Sequence, residues 1–155
     1  MENTIVPGTQ ENLHACCKLI ENSDLGKIYF TDKCPRRMLS KGMEKEEVYV
    51  VLDDKKECIG FILFELKGAF GKYPYLHMIV VDEEFRGNGI GKDLINFFEN
   101  EITADYDKIF LLVGDFNTRA MDLYQKLNYE EVGCLPDFYA PGVTEYLMRK
   151  YKTNT

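Results

Sequence analysis

The apolar positions of this chain change period several times, and each change marks an element. Thr4-Ile5-Val6 is a short apolar run that stops at Pro7-Gly8, which predicts a first strand. Thr9 is suited to capping a helix, and residues 11–22 put Leu13, Cys16, Cys17 and Ile20 on one helical face. Residues 24–32 are ambiguous, with Tyr29-Phe30 on a predicted loop. Pro35 opens a short helix through Met38, Leu39 and Lys41, with Gly42 as its stop. Residues 47–52 and 58–66 flank the turn Asp53-Asp54-Lys55-Lys56 and read as a hairpin. After a loop over residues 68–74, residues 75–81 form a nearly continuous apolar strand, the mark of a central strand covered on both faces.

The second half continues in the same way. A helix from Asn88 presents Ile90, Leu94, Ile95, Phe97, Phe98 and Ile102 to the sheet. A strand over residues 108–113, a helix over 117–126 and strands over 129–133 and 144–150 complete the pattern. The order βααβββαβαββ predicts an α/β (α+β) fold with mixed strand pairing: hairpins early and late, crossover helices between central strands.

Candidate chemistry concentrates where the central strand meets the helix, in Val80-Val81-Asp82-Glu83-Glu84-Phe85-Arg86-Gly87-Asn88-Gly89-Ile90-Gly91-Lys92. Gly87, Gly89 and Gly91 let backbone approach a ligand closely. The helix aims its unpaired N–H groups and positive dipole end at the same point, and Arg86 and Lys92 flank it. Such a turn binds phosphate, here a pyrophosphate. It is not a nucleotide P-loop, because Lys92 is followed by Asp93 instead of a hydroxyl residue. It is not the dinucleotide fingerprint either, since Lys92 stands where the third glycine belongs.

The spacing that fits is R-x-x-G-x-G, from Arg86 to Gly91, between a strand and a helix. This resembles the acetyl-CoA-binding motif of the GNAT superfamily of N-acetyltransferases. A second segment, from Asn117 through Ala120, Tyr124 and Lys126 to Tyr129, is similar to the other cofactor motif of that superfamily. It departs at Asn128, where glycine is usual; asparagine is the next best residue at a left-handed helix end. The resemblance spans residues 48–150. It implies a three-layer fold, with a mixed central sheet of six to seven strands flanked by about four helices, and two central strands that splay apart.

The resemblance also implies site roles. Amides of Arg86, Asn88, Gly89, Gly91 and Lys92, in the span that includes Gly87 and Ile90, cap the pyrophosphate. Backbone at Ile79, Val80 and Val81 pairs with the pantetheine arm like an added strand, and an N–H near Val80 serves as oxyanion donor. Tyr124 is the catalytic candidate, a phenol that hydrogen-bonds the departing sulfur. Asn117 either contacts the cofactor arm or simply caps its helix. An alkylamine with a pKa near 10 is mostly charged at neutral pH and needs a base or a water relay. His77, Glu65 and Asp115 are the candidates, and a bulge in the strand decides which face His77 takes. Aromatic residues at Tyr29-Phe30, Tyr73-Pro74-Tyr75 and in the segment 137–142 suit the wall of an acceptor pocket.

Composition narrows the field. The 155 residues, 45% of them apolar, suit a single N-acetyltransferase domain over residues 1–155 with a full core. A net charge of −7 argues against a nucleic-acid partner and is compatible with a cationic amine. The N-terminus has no signal pattern and no run is long enough to span a membrane, so no membrane partner and a cytoplasmic location are expected. The five cysteines (16, 17, 34, 58 and 134) form no C-x-x-C pair, which predicts neither a metal site nor a disulfide framework; Cys58 and Cys134 read as small buried hydrophobes. The expected activity is acetyl transfer from acetyl-CoA to a small-molecule or peptide amine by direct attack in a ternary complex. A non-catalytic acyl-CoA-binding or sensor module, or use of another acyl chain, is the alternative. A homodimer is compatible with similar folds.

Overall fold

The computed structural model describes residues 2–31 and 33–152. Among them a seven-stranded sheet has the order β1-β2-β3-β4-β5-β7-β6. The strands are β1 (Thr4–Pro7), β2 (Val48–Leu52), β3 (Cys58–Ala69), β4 (Tyr73–Val81), β5 (Lys108–Gly114), β6 (Glu130–Pro136) and β7 (Thr144–Tyr151). Five α-helices accompany them: α1 (Leu13–Glu21), α2 (Asp24–Tyr29), α3 (Arg36–Glu44), α4 (Ile90–Phe97) and α5 (Thr118–Lys126). β4 and β5 run parallel, and the other pairs are antiparallel. The last strand does not close an edge; it inserts between β5 and β6.

Two cores result, one on each face of the sheet. Cys16, Ile20, Leu39 and Met43 pack with Val48, Phe61, Met78 and Val80 beneath α1 and α3. Ile90, Leu94, Ile95, Phe98 and Tyr124 pack with Ile62, Phe64, Leu76 and Leu111 beneath α4 and α5. Burial of each large apolar side chain contributes roughly 1.5–3 kcal/mol, so the predicted apolar stripe of α4 is what docks it. Among the described residues no helix is long and apolar enough to cross a membrane.

Several expectations are corrected. The ambiguous segment after residue 23 contains α2, capped by the Ser23 hydroxyl, which accepts from Gly26 N–H at 3.3 Å; residue 32 lies outside the described residues. Gly42 does not end α3 but lies inside it, where a Cβ would meet Leu63 Cδ1 at 2.7 Å. The expected loop over 68–74 is a tight hairpin turn, because Phe70 (φ 59°) and Gly71 (φ 69°) both take left-handed backbone. Cys17 and Cys34 form a disulfide, Cα atoms 5.1 Å apart, against the expectation of none. Their spacing in sequence carried no sign of it, since only the reversal of the chain through α2 brings them together. Cys58 is half-buried and Cys134 exposed, the latter because β6 is an edge strand with no buried position. Asn128 does take the left-handed conformation, φ 72°.

A buried polar cluster ties the far end of the α4 layer to β7. Beyond α4 a π-turn (Phe98–Ile102) buries Glu99, which accepts from Tyr129 Oη at 2.8 Å and pairs with Lys150 Nζ at 2.7 Å. Lys152 Nζ donates to the carbonyl oxygens of Glu99 and Thr103. Lys150→Met leaves a buried carboxylate without its cation and is expected to lower stability by about 3 kcal/mol. The urea midpoint of wild type and variant checks this.

Candidate active site

The site begins with a failure of strand pairing. β4 and β5 are paired only at Tyr75↔Phe110 and Leu76↔Leu111, although β4 continues to Val81 and β5 to Gly114. The cause lies in β4. Its register against β3 slips between Leu63↔Met78 and Phe64↔Leu76, which leaves His77 as an unpaired bulge residue. A bulge bends and twists the strand that carries it, and it also swaps faces. Leu76, Ile79 and Val81 therefore pack toward α4, while Met78 and Val80 pack toward α1 and α3.

The gap opens into a cleft of about 1050 Å³. Its walls include residues 77–81, Arg86, Gly87, residues 89–92, Asn117 and Tyr124. Asp82 N–H donates to Ile59 C=O at 2.9 Å. By the alternation of an antiparallel ladder, the amides of Ile79 and Val81 then point into the gap and that of Val80 points to β3. The N–H groups near Val80 that face the gap are therefore those of Ile79 and Val81.

At the cleft's upper end, Gly87 (φ 82°) and Gly89 (φ 78°) adopt left-handed backbone, and a Cβ at either would meet nothing within 4 Å. Both thus serve conformation and leave open space. The first backbone bond at the start of α4 runs from Asp93 N–H to Gly89 C=O at 2.9 Å, so the amides before it find no partner in the helix. Arg86 is an exception among the expected capping amides, because its N–H donates to Glu83 C=O at 3.3 Å. Gly91 faces Leu123 of α5, where a Cβ would lie 3.5 Å from Leu123 Cδ2, in ordinary van der Waals contact. Asn88 is exposed, donates Nδ2–H to Phe85 C=O at 2.9 Å, and does not line the cleft.

Tyr124 is 8% exposed and lines the cleft, its ring tilted 60° from that of Tyr129 with centroids 5.7 Å apart. Burial raises its pKa, so the phenol stays a hydrogen-bond donor at any physiological pH. Asn117 caps α5, Oδ1 accepting from Ala120 N–H at 3.3 Å, and also reaches the cleft. Among the base candidates, His77 lines the cleft with its ring 5.5 Å from that of Tyr75. Glu65 and Asp115 are exposed and do not line it.

The other end of the cleft is aromatic. Tyr29, Tyr75, Phe116 and Tyr139 line it; Tyr75 Oη lies 3.3 Å from Tyr139 Oη, and the Tyr29 and Tyr139 rings stand 5.8 Å apart. Sequence reasoning missed Glu145. It is 2% exposed, lies beside Gly114 in the β5–β7 ladder, and accepts from Tyr29 Oη at 2.5 Å. Burial raises its pKa, with the Tyr29 bond opposing and Asp115 adding to the rise. A lone Glu in a strand reads as a solvated position; its sole signal was the glycine ending β5, which acquires meaning only through the register.

Residues 12–129 match the Acetyltransferase (GNAT) family, and the chain belongs to that family. It is similar to an acetyltransferase of Pectobacterium atrosepticum, 32% identical over 81% of this chain and 86% of the relative. It is also similar to an N-alpha-acetyltransferase of Sulfurisphaera tokodaii, 29% identical over 68% of this chain and 70% of the relative. Among solved structures the fold matches the NatC complex bound to Gag peptide and CoA with a TM-score of 0.83, at 21% identity over 99% of this chain and 100% of that one. Ard1 from Thermoplasma volcanium gives the same TM-score at 19% identity, with the same coverage of both chains. The chain is an N-acetyltransferase, an enzyme that moves an acetyl group to an amine.

The glycine at the end of β5 makes room for the Tyr29–Glu145 contact. A Cβ on Gly114 would lie 2.5 Å from both Tyr29 Oη and Phe116 Cε1. Gly114→Ala is therefore expected to lose about 1–3 kcal/mol through overpacking, read as a lowered thermal midpoint.

Proposed function

We propose that the chain acts as one domain, takes its acetyl group from acetyl-CoA, and delivers it to the α-amino group of a peptide in a ternary complex. The observation that carries this reading is the gap between β4 and β5, which aligns unpaired backbone with the glycine turn. Two rows of cleft-facing groups suit an extended, amide-containing ligand that ends in a diphosphate. Ile79 and Val81 offer N–H and C=O to the arm, and the amides of Gly89, Gly91 and Lys92 with the Arg86 and Lys92 cations receive the diphosphate. When bound, acetyl-CoA supplies an activated thioester carbonyl. Residues of the chain supply the remainder: an Ile79 or Val81 amide donates to the carbonyl oxygen, and Tyr124 donates to the sulfur as it departs. A thiolate of reference pKa about 8.5 needs only that hydrogen bond.

His77 is our candidate for accepting the amine's proton, directly or through water, since the other two candidates do not line the cleft. The α-amino acceptor is supported by the N-alpha-acetyltransferase relatives and by a cleft that continues past the thioester position between Tyr29, Tyr75 and Tyr139. A cytoplasmic site of action belongs to the same proposal.

Gly89→Glu sets a carboxylate against the diphosphate and is expected to weaken coenzyme A binding at least a hundredfold by calorimetry; unchanged affinity would overturn the reading. Tyr124→Phe should lower turnover roughly tenfold or more with coenzyme A affinity nearly intact. Steady-state and binding measurements on the same preparation separate the two effects.

A further inference from the structure

The two ends of the cleft carry opposite charge. Its lysines and arginines, Arg86, Lys92, Arg119 and Lys126, all belong to the α4 and α5 end. Asp122 of α5 stands among them, which leaves that end net positive; in the aromatic corner the charged lining residue is Glu145, with the Asp115 carboxylate close enough to raise its pKa. Glu145 is the unusual member. A carboxylate that is 2% exposed normally has both oxygens bonded. Here Oε2 accepts from Tyr29, while no hydrogen bond to Oε1 is present among the described residues, and Oε1 is not sealed from the cleft either. Tyr29, Phe116 and Tyr139 pack around the same corner, with ring centroids 5.6–5.8 Å apart.

An anionic oxygen without a partner, framed by aromatic rings, is a receptor for an organic cation. The carboxylate supplies charge and a hydrogen-bond acceptor, and the ring faces supply quadrupole attraction in a desolvated corner. The reacting amine cannot remain there as a cation, because it must be neutral to attack. The corner is free for a different positive group of the same molecule. Resting on the peptide-acceptor reading above, we propose that Glu145, positioned by Tyr29, selects acceptors that carry a second positive charge near the reacting amine. A peptide with a lysine or arginine side chain at its second position has this character. The net charge of −7 favours the approach of such an acceptor.

The test uses peptides identical except for Lys, Leu or Glu at the second position, assayed with the intact chain and acetyl-CoA. Wild type should prefer Lys over Leu roughly tenfold in kcat/KM, chiefly through KM, with Glu poorest. Glu145→Gln keeps an acceptor for the Tyr29 hydroxyl and should bring the Lys-to-Leu ratio close to one, whereas Glu145→Asp should retain part of it. Coenzyme A affinity, measured by calorimetry, should stay the same in both variants. Equal rates for Lys and Leu in wild type overturn the proposal whether or not the variants fold. A ratio that survives in Glu145→Gln also overturns it. If coenzyme A binds but no peptide is acetylated, the peptide reading has failed. The same ratio is then taken between 1,4-diaminobutane and butylamine, where a preference for the diamine sustains the role of Glu145 and parity removes it.

Discussion

Strands β4 and β5 begin as neighbours and then part, and the rest of the site depends on that parting. A row of backbone N–H and C=O groups in a sheet interior is costly to leave unpaired, so a gap of this kind survives only where the flanking structure enforces it. Enforcement comes from both faces. Leu76, Ile79 and Val81 are held by the α4 core, and Met78 and Val80 by the α1 and α3 core. With the strand gripped on both sides of the bulge at His77, it cannot slide back into register with β5. The backbone groups that face the gap are left without a strand partner.

The same parting sets what converges on the gap. At the end of β4 the chain turns through Gly87 and Gly89 into α4, so the helix start lies at one mouth. At the end of β5 it turns at Gly114 into α5, which brings Asn117 and Tyr124 to the inner wall. Insertion of β7 between β5 and β6 then puts Glu145 beside Gly114. A cationic end and an anionic end of the cleft are therefore consequences of strand order, with no long loop needed to carry either.

The glycine turn and the helix start were legible in the sequence because their chemistry is local. Gly87 and Gly89 announce the turn within a few residues, as do the apolar stripe of α4 and the left-handed asparagine at position 128. What could not be read depends on pairing across distance. The slip that isolates His77 exists only relative to Leu63 and Phe64. The Cys17–Cys34 bridge exists only after α2 reverses the chain, and α2 itself hides behind a glycine at its centre and a length of six residues. Glu145 needed the register of β7 against β5. The turn at Glu83–Phe85, which takes the Arg86 amide for itself, is too short to announce itself in the sequence.

His77 joins these two kinds of information. In a regular strand its imidazole would alternate with its neighbours and its position would follow from counting. As the bulged residue it escapes the count, and it lines the cleft beside Tyr75 at the level where β4 leaves β5. The irregularity that opens the gap is thus the one that presents the imidazole to it. Glu65 and Asp115 stand on the two flanking strands, one on β3 where its pairing with β4 breaks off and one past the end of β5, and both are exposed. A single extra residue in β4 accounts for the open backbone, for the exchange of faces between Leu76 and Ile79, and for an imidazole that lines the cleft.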